Sequence, residues 1–173
     1  MYYKIIEQFG PNDGEKWTGY INWRGLALES FDSVDSLLRP DLFIPKSNSD
    51  WENCVNEDFK LSLITNSQYA ESIIPSYKNA ILIGVETDIG ERYETKESFL
   101  GFDIIDEQCS ISLLTNWGTD DENIMNPHIE NNGLVKDLKQ AINIKNILRN
   151  TFSEDAHAEF CEVWAIYKTS LNE

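Results

Sequence analysis

Nucleophilic or metal chemistry in this sequence would have to come from two histidines and three cysteines: His128, His157, Cys54, Cys109 and Cys161. A metal site needs paired cysteines, or a histidine a few residues from another ligand. His157 and Cys161 are four residues apart, but the residues around them alternate as in a strand, which predicts about 13 Å between them. We therefore interpret Cys161 as a core thiol and predict no metal site.

Cysteine catalysis would need a base close in space, and His128 or His157 could serve Cys109 in that way. The small number of both residue types favours structural thiols instead. The glycines do not follow the spacing of a P-loop or of a dinucleotide-binding loop, and no G-x-S-x-G nucleophile elbow occurs. The sequence thus predicts no catalytic residue and no cofactor, and a protein that is not an enzyme.

Acidic side chains dominate the middle of the chain. No Lys or Arg occurs from Glu97 to Val135, a segment that holds eight Asp and Glu residues. Carboxylates beside a rigid aromatic residue are typical of an interface with a basic protein. The candidate partner-binding residues are Asp106, Glu107, Trp117, Asp120, Asp121, Glu122 and Glu130. Two alternatives stay open: a solvated acidic surface that serves solubility, and burial of Trp117 in the core.

Length and net charge limit the class of protein. A chain of 173 residues predicts a single domain spanning 1–173. The net charge of −16 argues against electrostatic binding to nucleic acid or to an anionic membrane as the default role. The first ten residues predict no secretory signal, and the longest apolar run, Ala80 to Val85, is far too short to cross a bilayer. We expect a cytoplasmic protein with reduced cysteines, and leave its oligomeric state open.

The elements that must position these residues indicate an α+β fold with a mostly antiparallel sheet, since the strands cluster in hairpins. One long amphipathic helix is predicted near the C-terminus, over Lys136 to Phe152, followed by a final strand over Phe160 to Tyr167. The other predicted strands are Tyr2 to Phe9, Trp17 to Trp23, Phe59 to Thr65, Ala80 to Val85, Phe99 to Ile105 and Ser110 to Leu114. Short helices are expected over Asp32 to Leu38 and Ser67 to Ile74, tight turns at Pro11 to Gly14 and Asp106 to Gln108, and loops over Pro45 to Asp50 and Asn116 to Gly133.

The run Phe99 to Gly118 resembles a motif of small bacterial immunity proteins that protect against polymorphic or contact-dependent toxins. In that motif a G-[FY]-D strand with two hydrophobic residues and a second Asp leads through a turn into S-x-L-[ST]-N-x-G. The matching residues are Gly101, Phe102, Asp103, Asp106, Ser112, Leu113, Thr115, Asn116 and Gly118. The resemblance covers about 20 of the 173 residues.

The resemblance implies a non-catalytic protein that binds one cognate toxin and blocks its active site or substrate channel. Its partner would be a basic protein, because an acidic surface can occupy a basic nucleic-acid cleft. Two other functions stay open. One is a small enzyme or ligand-binding domain that uses carboxylates in a pocket, and the other is a DNA-mimic inhibitor of a nuclease.

Overall fold

A computed structural model describes residues 1–34, 38–56, 62–108, 111–116 and 125–169. Its centre is a five-stranded sheet in the order β1-β2-β5-β3-β4, in which every neighbouring pair is antiparallel. The strands are β1 (Tyr2–Glu7), β2 (Ala80–Glu86), β3 (Phe99–Asp106), β4 (Ile111–Ser112) and β5 (Cys161–Lys168). The predicted α+β class, with its mostly antiparallel sheet and final strand, is confirmed.

Helices lie between and beside the strands. They are α1 (Glu15–Arg24), α2 (Asn48–Glu52), α3 (Ser67–Ile73), α4 (Leu113–Asn116), α5 (Leu138–Thr151) and α6 (Ala156–Glu159). The long helix near the C-terminus is confirmed as α5, which begins where the Asp137 carboxylate accepts a hydrogen bond from Gln140 N at 2.9 Å. In the described part of the chain, no helix combines the length and the apolar character that a membrane span requires.

Both faces of the sheet are covered. On one face, Phe102, Ile104 and Val163 pack in a cluster with buried residues of α5. On the other, Trp164 and Ile166 pack with residues from the long connections of the chain. A strand that is buried on both sides has no polar face, which explains the unbroken apolar sequence of β2.

The outer edge of β1 is also covered. Tyr3 exchanges two backbone hydrogen bonds with Ile64, at 2.9 and 2.8 Å. Further along the strand, Leu42 N donates to Ile5 O at 3.0 Å and Glu7 N donates to Pro40 O at 3.3 Å. Irregular segments thereby occupy the backbone positions that a sixth strand would use.

The predicted strand over Trp17 to Trp23 is wrong, because these residues belong to α1. Trp17, Tyr20 and Arg24 are its buried residues, and that spacing fits one face of a helix. The aromatic rings pack with Phe9 and Phe31 rather than along a sheet. The predicted hairpin turn before this segment is instead the 3-10 turn Pro11–Asp13, which leads directly into α1.

Two further predictions need correction. Residues Pro45 to Asp50 are not all loop, since the Ser47 hydroxyl and the Asp50 carboxylate form a capping box at the start of α2. The strand predicted over Ser110 to Leu114 has only two residues, Ile111–Ser112, after which the chain turns into α4.

The remaining predictions meet the structure in part. The helix ending before Pro75 and the turn between β3 and β4 are confirmed. The helix predicted over Asp32 to Leu38 is not formed in the part that the structure describes, 32–34 and 38, and the described part of the strand predicted over Phe59 to Thr65 holds only isolated bridges at Ile64. Residues 35–37, 59–61 and 117–124 of the predicted helix, strand and loop lie outside the described residues.

A buried carboxylate connects the sheet to two other segments. The Asp103 side chain is fully buried in β3. Its Oδ2 accepts a hydrogen bond from Val34 N at 2.6 Å, and its Oδ1 accepts from Ser112 Oγ at 2.6 Å and from Ile104 N at 2.8 Å. Hydrogen bonds to an ionised acceptor are among the stronger ones in proteins. Asp103 therefore links β3 to β4 and to the connection after α1 that contains Val34.

We expect Asp103→Asn to lower the free energy of unfolding by about 2 to 4 kcal/mol, since an amide nitrogen cannot accept the hydrogen bonds that a carboxylate oxygen accepts. Ser112→Ala removes one donor only and should cost about 1 kcal/mol. Urea unfolding followed by circular dichroism measures both. Asp88→Asn, at an exposed site, is the matched control, and equal stability of the Asp103 and Asp88 variants would contradict this role.

Candidate partner-binding surface

Two stretches without lysine or arginine meet at one end of the sheet. The first is the acidic segment Glu97 to Val135, which contains β3, and the second lies between Arg149 and Lys168 and contains β5. The register of β3 and β5 places Asp106 opposite Cys161. The turn after β3 is thereby brought beside α6 and the first residue of β5, so carboxylates from both stretches share one region.

An exposed aromatic ring lies in this region. Phe160 is 41 % exposed, and its carbonyl oxygen accepts a hydrogen bond from Glu107 N at 3.3 Å. Glu159 and Gln108, which lie on either side of this contact, are exposed. We call the set Glu107, Gln108, His157, Glu159 and Phe160 the Phe160 surface.

His157 is held by a buried carboxylate. Its Nδ1 lies 2.5 Å from Asp106 Oδ2, with the imidazole 52 % exposed and the carboxylate 1 % exposed. The other carboxylate oxygen, Oδ1, accepts from Gln108 N at 2.9 Å. Because a carboxylate only accepts hydrogen bonds, Nδ1 carries the proton and Nε2 remains the ring nitrogen for an incoming group. The backbone holds this geometry, since His157 N donates to the Asp155 carboxylate that caps α6.

Other contacts define the border of the surface. The half-buried Glu107 accepts a hydrogen bond from Trp164 Nε1 at 3.1 Å, which ties it to the largest buried side chain of the core. Glu162 is paired with Lys145 at 3.0 Å and with Arg149 at 2.6 Å. These two cations of α5 neutralise Glu162 and mark the side on which the acidic surface ends.

The predicted partner-binding residues are placed differently by the structure. Asp106 and Glu107 lie at the Phe160 surface, Asp106 beneath it as the support of His157. Glu130 is exposed in the turn before Leu134, where its backbone N donates to Leu134 O at 2.8 Å. The others, Trp117, Asp120, Asp121 and Glu122, lie outside the described residues.

Sequence reasoning missed His157, Glu159 and Phe160 as members of this surface. A signal was present, since Glu154, Asp155, Glu159 and Glu162 fall in a stretch without lysine or arginine. The strand predicted for the residues around His157 is wrong at that position, because His157 belongs to α6.

The residues that carry the resemblance to immunity proteins lie mainly in the interior. Of those that the structure describes, only Asn116 is not buried. Gly101 has a steric role, since a Cβ atom at this position would lie 2.5 Å from Leu134 Cβ. Thr115 Oγ1 hydrogen-bonds Ser33 Oγ at 3.0 Å, and its carbonyl accepts from Tyr20 at 3.1 Å. These residues shape the fold.

The two described cysteines are core residues. Cys54 and Cys161 are buried and form no disulfide, and burial raises the pKa of each thiol to about 11. Each thiol therefore stays protonated near neutral pH, which makes it a weak nucleophile. This confirms Cys161 as a core thiol, whereas Cys109 lies outside the described residues.

The carboxyl groups of Asp50 and Glu86 both have lowered pKa values. The hydrogen bond from Tyr69, together with those from the backbone of Lys46 and Ser47, holds the pKa of Asp50 well below its usual range. Burial acts to raise the pKa of Glu86, but hydrogen bonds from Lys96 and Tyr93 outweigh it. Both groups are ionised at neutral pH, which suits acceptors better than general acids.

Within the described ranges, no three or more His, Cys, Asp or Glu residues are grouped so that they could hold a metal ion.

Comparisons of this chain with protein-family models, with curated proteins and with solved structures find no match. The geometry of the Phe160 surface is therefore the basis for inferring a function.

The imidazole of His157 should occupy the tautomer with hydrogen on Nδ1 when it is neutral. Asp106→Asn should weaken this preference, because an amide can also donate to Nδ1. Long-range ¹H–¹⁵N correlation spectra of the ring distinguish the two tautomers. Glu159→Gln, two residues away in α6, is the control that should leave the spectrum unchanged, and a wild-type ring with hydrogen on Nε2 would contradict the arrangement.

Proposed function

We propose that this chain is an immunity protein that binds a cognate bacterial toxin domain and neutralises it, using its acidic surface. The observation that carries the proposal is the convergence of two acidic stretches around the exposed Phe160 ring. The partner is a protein with a basic active-site cleft, and the complex forms in the cytoplasm. Binding alone is the activity, so the chain acts without a cofactor.

Charge supports a basic partner. The net charge of −16 gives the molecule a strong negative field, which accelerates its encounter with a cationic surface. Within the Phe160 surface, the side chain of Glu159 is exposed. It lies in the stretch between Arg149 and Lys168, which contains no lysine or arginine. A toxin that acts on nucleic acid needs a basic cleft, and this surface complements that charge.

Shape supports binding at Phe160. Aromatic residues that fill a pocket at the centre of an interface contribute much of its affinity. Phe160 projects from the junction of α6 and β5, where the backbone is fixed by the hydrogen bond from Glu107 and by the strand pairing that follows. A ring on rigid backbone loses little conformational freedom when it binds.

His157 extends the range of contacts. Its ring is half exposed and its orientation is set by Asp106, so Nε2 of the neutral ring can accept a hydrogen bond from an arginine or lysine of the partner. Asp106 then acts by positioning the ring, and it makes no direct contact with the toxin.

The proposal is tested by capturing the partner and measuring its activity. The tagged chain is used to recover proteins from a lysate of its own organism under washes of rising salt, and bound proteins are identified by mass spectrometry. We expect one basic toxin-domain protein that is released as salt rises, because counterions screen charge pairs. Addition of the purified chain at equal concentration should abolish the toxin's activity. Retained activity in the saturated complex would contradict the proposal.

Substitutions separate the contributions of charge and shape to binding. Glu107→Lys with Glu159→Lys should lower the association rate constant at low salt about tenfold. Phe160→Ala should instead raise the dissociation rate and weaken binding about thirtyfold, as loss of an anchor residue does.

Charge reversal at Asp120, Asp121 and Glu122 should also act mainly on the association rate. Surface plasmon resonance at two salt concentrations measures all of these.

The control for charge is Glu71→Lys, an exposed position on α3, which packs beside β1 at the far side of the sheet. It makes the same change per residue and should alter the rates only through net charge. Unchanged affinity of the Glu107, Glu159 and Phe160 variants would remove the Phe160 surface from the interface. Unchanged low-salt affinity of the Asp120, Asp121 and Glu122 variant would remove that segment.

A further inference from the structure

A cavity of about 380 Å³ opens beside the end of β1. Its walls come from residues 8–10, the 3-10 turn Pro11–Asp13, residues 30–32 and the turn that leads into β2. The volume lies in the range of small-molecule sites in proteins. None of its lining residues belongs to the Phe160 surface.

Two aromatic rings belong to the apolar part of the cavity lining, beside Pro11 and Ile81. Phe9 and Phe31 are almost fully buried and pack edge to face, with ring centroids 5.3 Å apart. Trp17 and Tyr20 of α1 support both rings from behind. The aromatic wall is therefore rigid and exists before any ligand arrives.

The polar part of the cavity is rich in hydrogen-bond acceptors. Asp13 and Asp32 contribute carboxylates, and the side chains of Gln8, Asn12, Asn79 and Ser30 add neutral polar groups. Asp13 Oδ2 accepts from Gly10 N at 2.7 Å, and Asp32 Oδ2 lies 3.5 Å from Ser30 Oγ. In the described part of the chain, neither carboxylate forms a salt bridge, and the Oδ1 atom of each has no hydrogen-bond partner.

Cations already lie against the same two rings, outside the cavity lining. Lys16 Nζ is 4.9 Å from the centroid of Phe9, and the guanidinium carbon of Arg39 is 5.8 Å from that of Phe31. Lys16 donates to Leu38 O, and Arg39 donates to carbonyl oxygens that include Phe31 O at 2.5 Å. Both side chains are held by backbone acceptors, so neither forms an ion pair with Asp13 or Asp32.

We propose that this cavity binds a guanidinium or alkylammonium group. Such a group carries several N–H donors, which match the free oxygens of Asp13 and Asp32. Its carbon atoms pack against the parts of Phe9 and Phe31 that line the cavity. The group comes either from a free small cation or from an arginine side chain of a polypeptide, and both present the same chemistry to the cavity. The proposal does not rest on the proposed function.

The test uses ¹⁵N-labelled protein and three probes: agmatine, the blocked tripeptide acetyl-Gly-Arg-Gly-amide, and the same tripeptide with citrulline in place of arginine. Agmatine and the arginine peptide should shift the backbone amide signals of Gly10, Ser30 and Asn79, with a Kd on the order of 1 mM for the tighter probe. Citrulline keeps the shape and loses the charge, so it should bind at least about tenfold more weakly.

Substitutions of the two carboxylates test whether the cation probes bind in the cavity. Asp32→Asn should weaken the tighter cation about threefold to fivefold, the upper part of what an exposed ion pair contributes. Asp13→Asn keeps an oxygen that can accept from Gly10 N, and it should weaken binding of the same cation by a similar factor. This variant replaces Asp32→Asn in the test if Asp32→Asn fails to fold. Asp88→Asn is the matched control at an exposed site outside the lining.

The results also distinguish the two sources. Tighter binding of agmatine assigns the cavity to a free small cation, and tighter binding of the arginine peptide assigns it to a side chain. Equal binding of citrulline and arginine peptides would overturn the proposal, as would unchanged affinity of the folded Asp32 or Asp13 variants. Absence of shifts at those amides with either cation at about 10 mM would overturn it too.

Discussion

The buried carboxylate of Asp103 is the interaction on which this fold depends most directly. It lies in β3 and accepts hydrogen bonds from Val34, Ile104 and Ser112. Taking a carboxylate out of water costs several kcal/mol, and each donor around it offsets part of that cost. The connection that contains Val34 is therefore coupled to β3 and β4, because displacement of any of them leaves the buried carboxyl group with fewer donors. β3 in turn pairs with β5, and that register determines which residues surround Phe160.

This arrangement separates the residues that make the fold from those available for binding. Asp103, Ser112 and Thr115 match the immunity-protein motif and lie in the interior, where they connect the segments of the chain. Phe160 and Glu159 lie at the surface and outside that motif. Substitution of a surface residue leaves the hydrogen bonds of Asp103 intact. The same interior can thus support different surfaces.

The sequence was most informative where one physical signal dominated. The unbroken apolar run of β2 and the helical periodicity of α5 identified both elements, because burial on two faces and on one face leave different patterns. The segment from Trp17 was ambiguous, since its aromatic residues fit a strand as well as a helix, and packing against Phe9 and Phe31 decides for the helix. The charge pattern indicated Asp106 and Glu107 but missed His157, which is 51 residues from Asp106 and meets it only through the β3 and β5 register.

The covered edge of β1 restricts how other proteins can recognise this chain. Main-chain pairing with an added strand is largely independent of side-chain identity, and the segments around Ile64 and Leu42 already occupy that position beside β1. Along this edge the molecule also offers no template for growth into a fibril. Recognition along this edge must then use side chains rather than main-chain pairing.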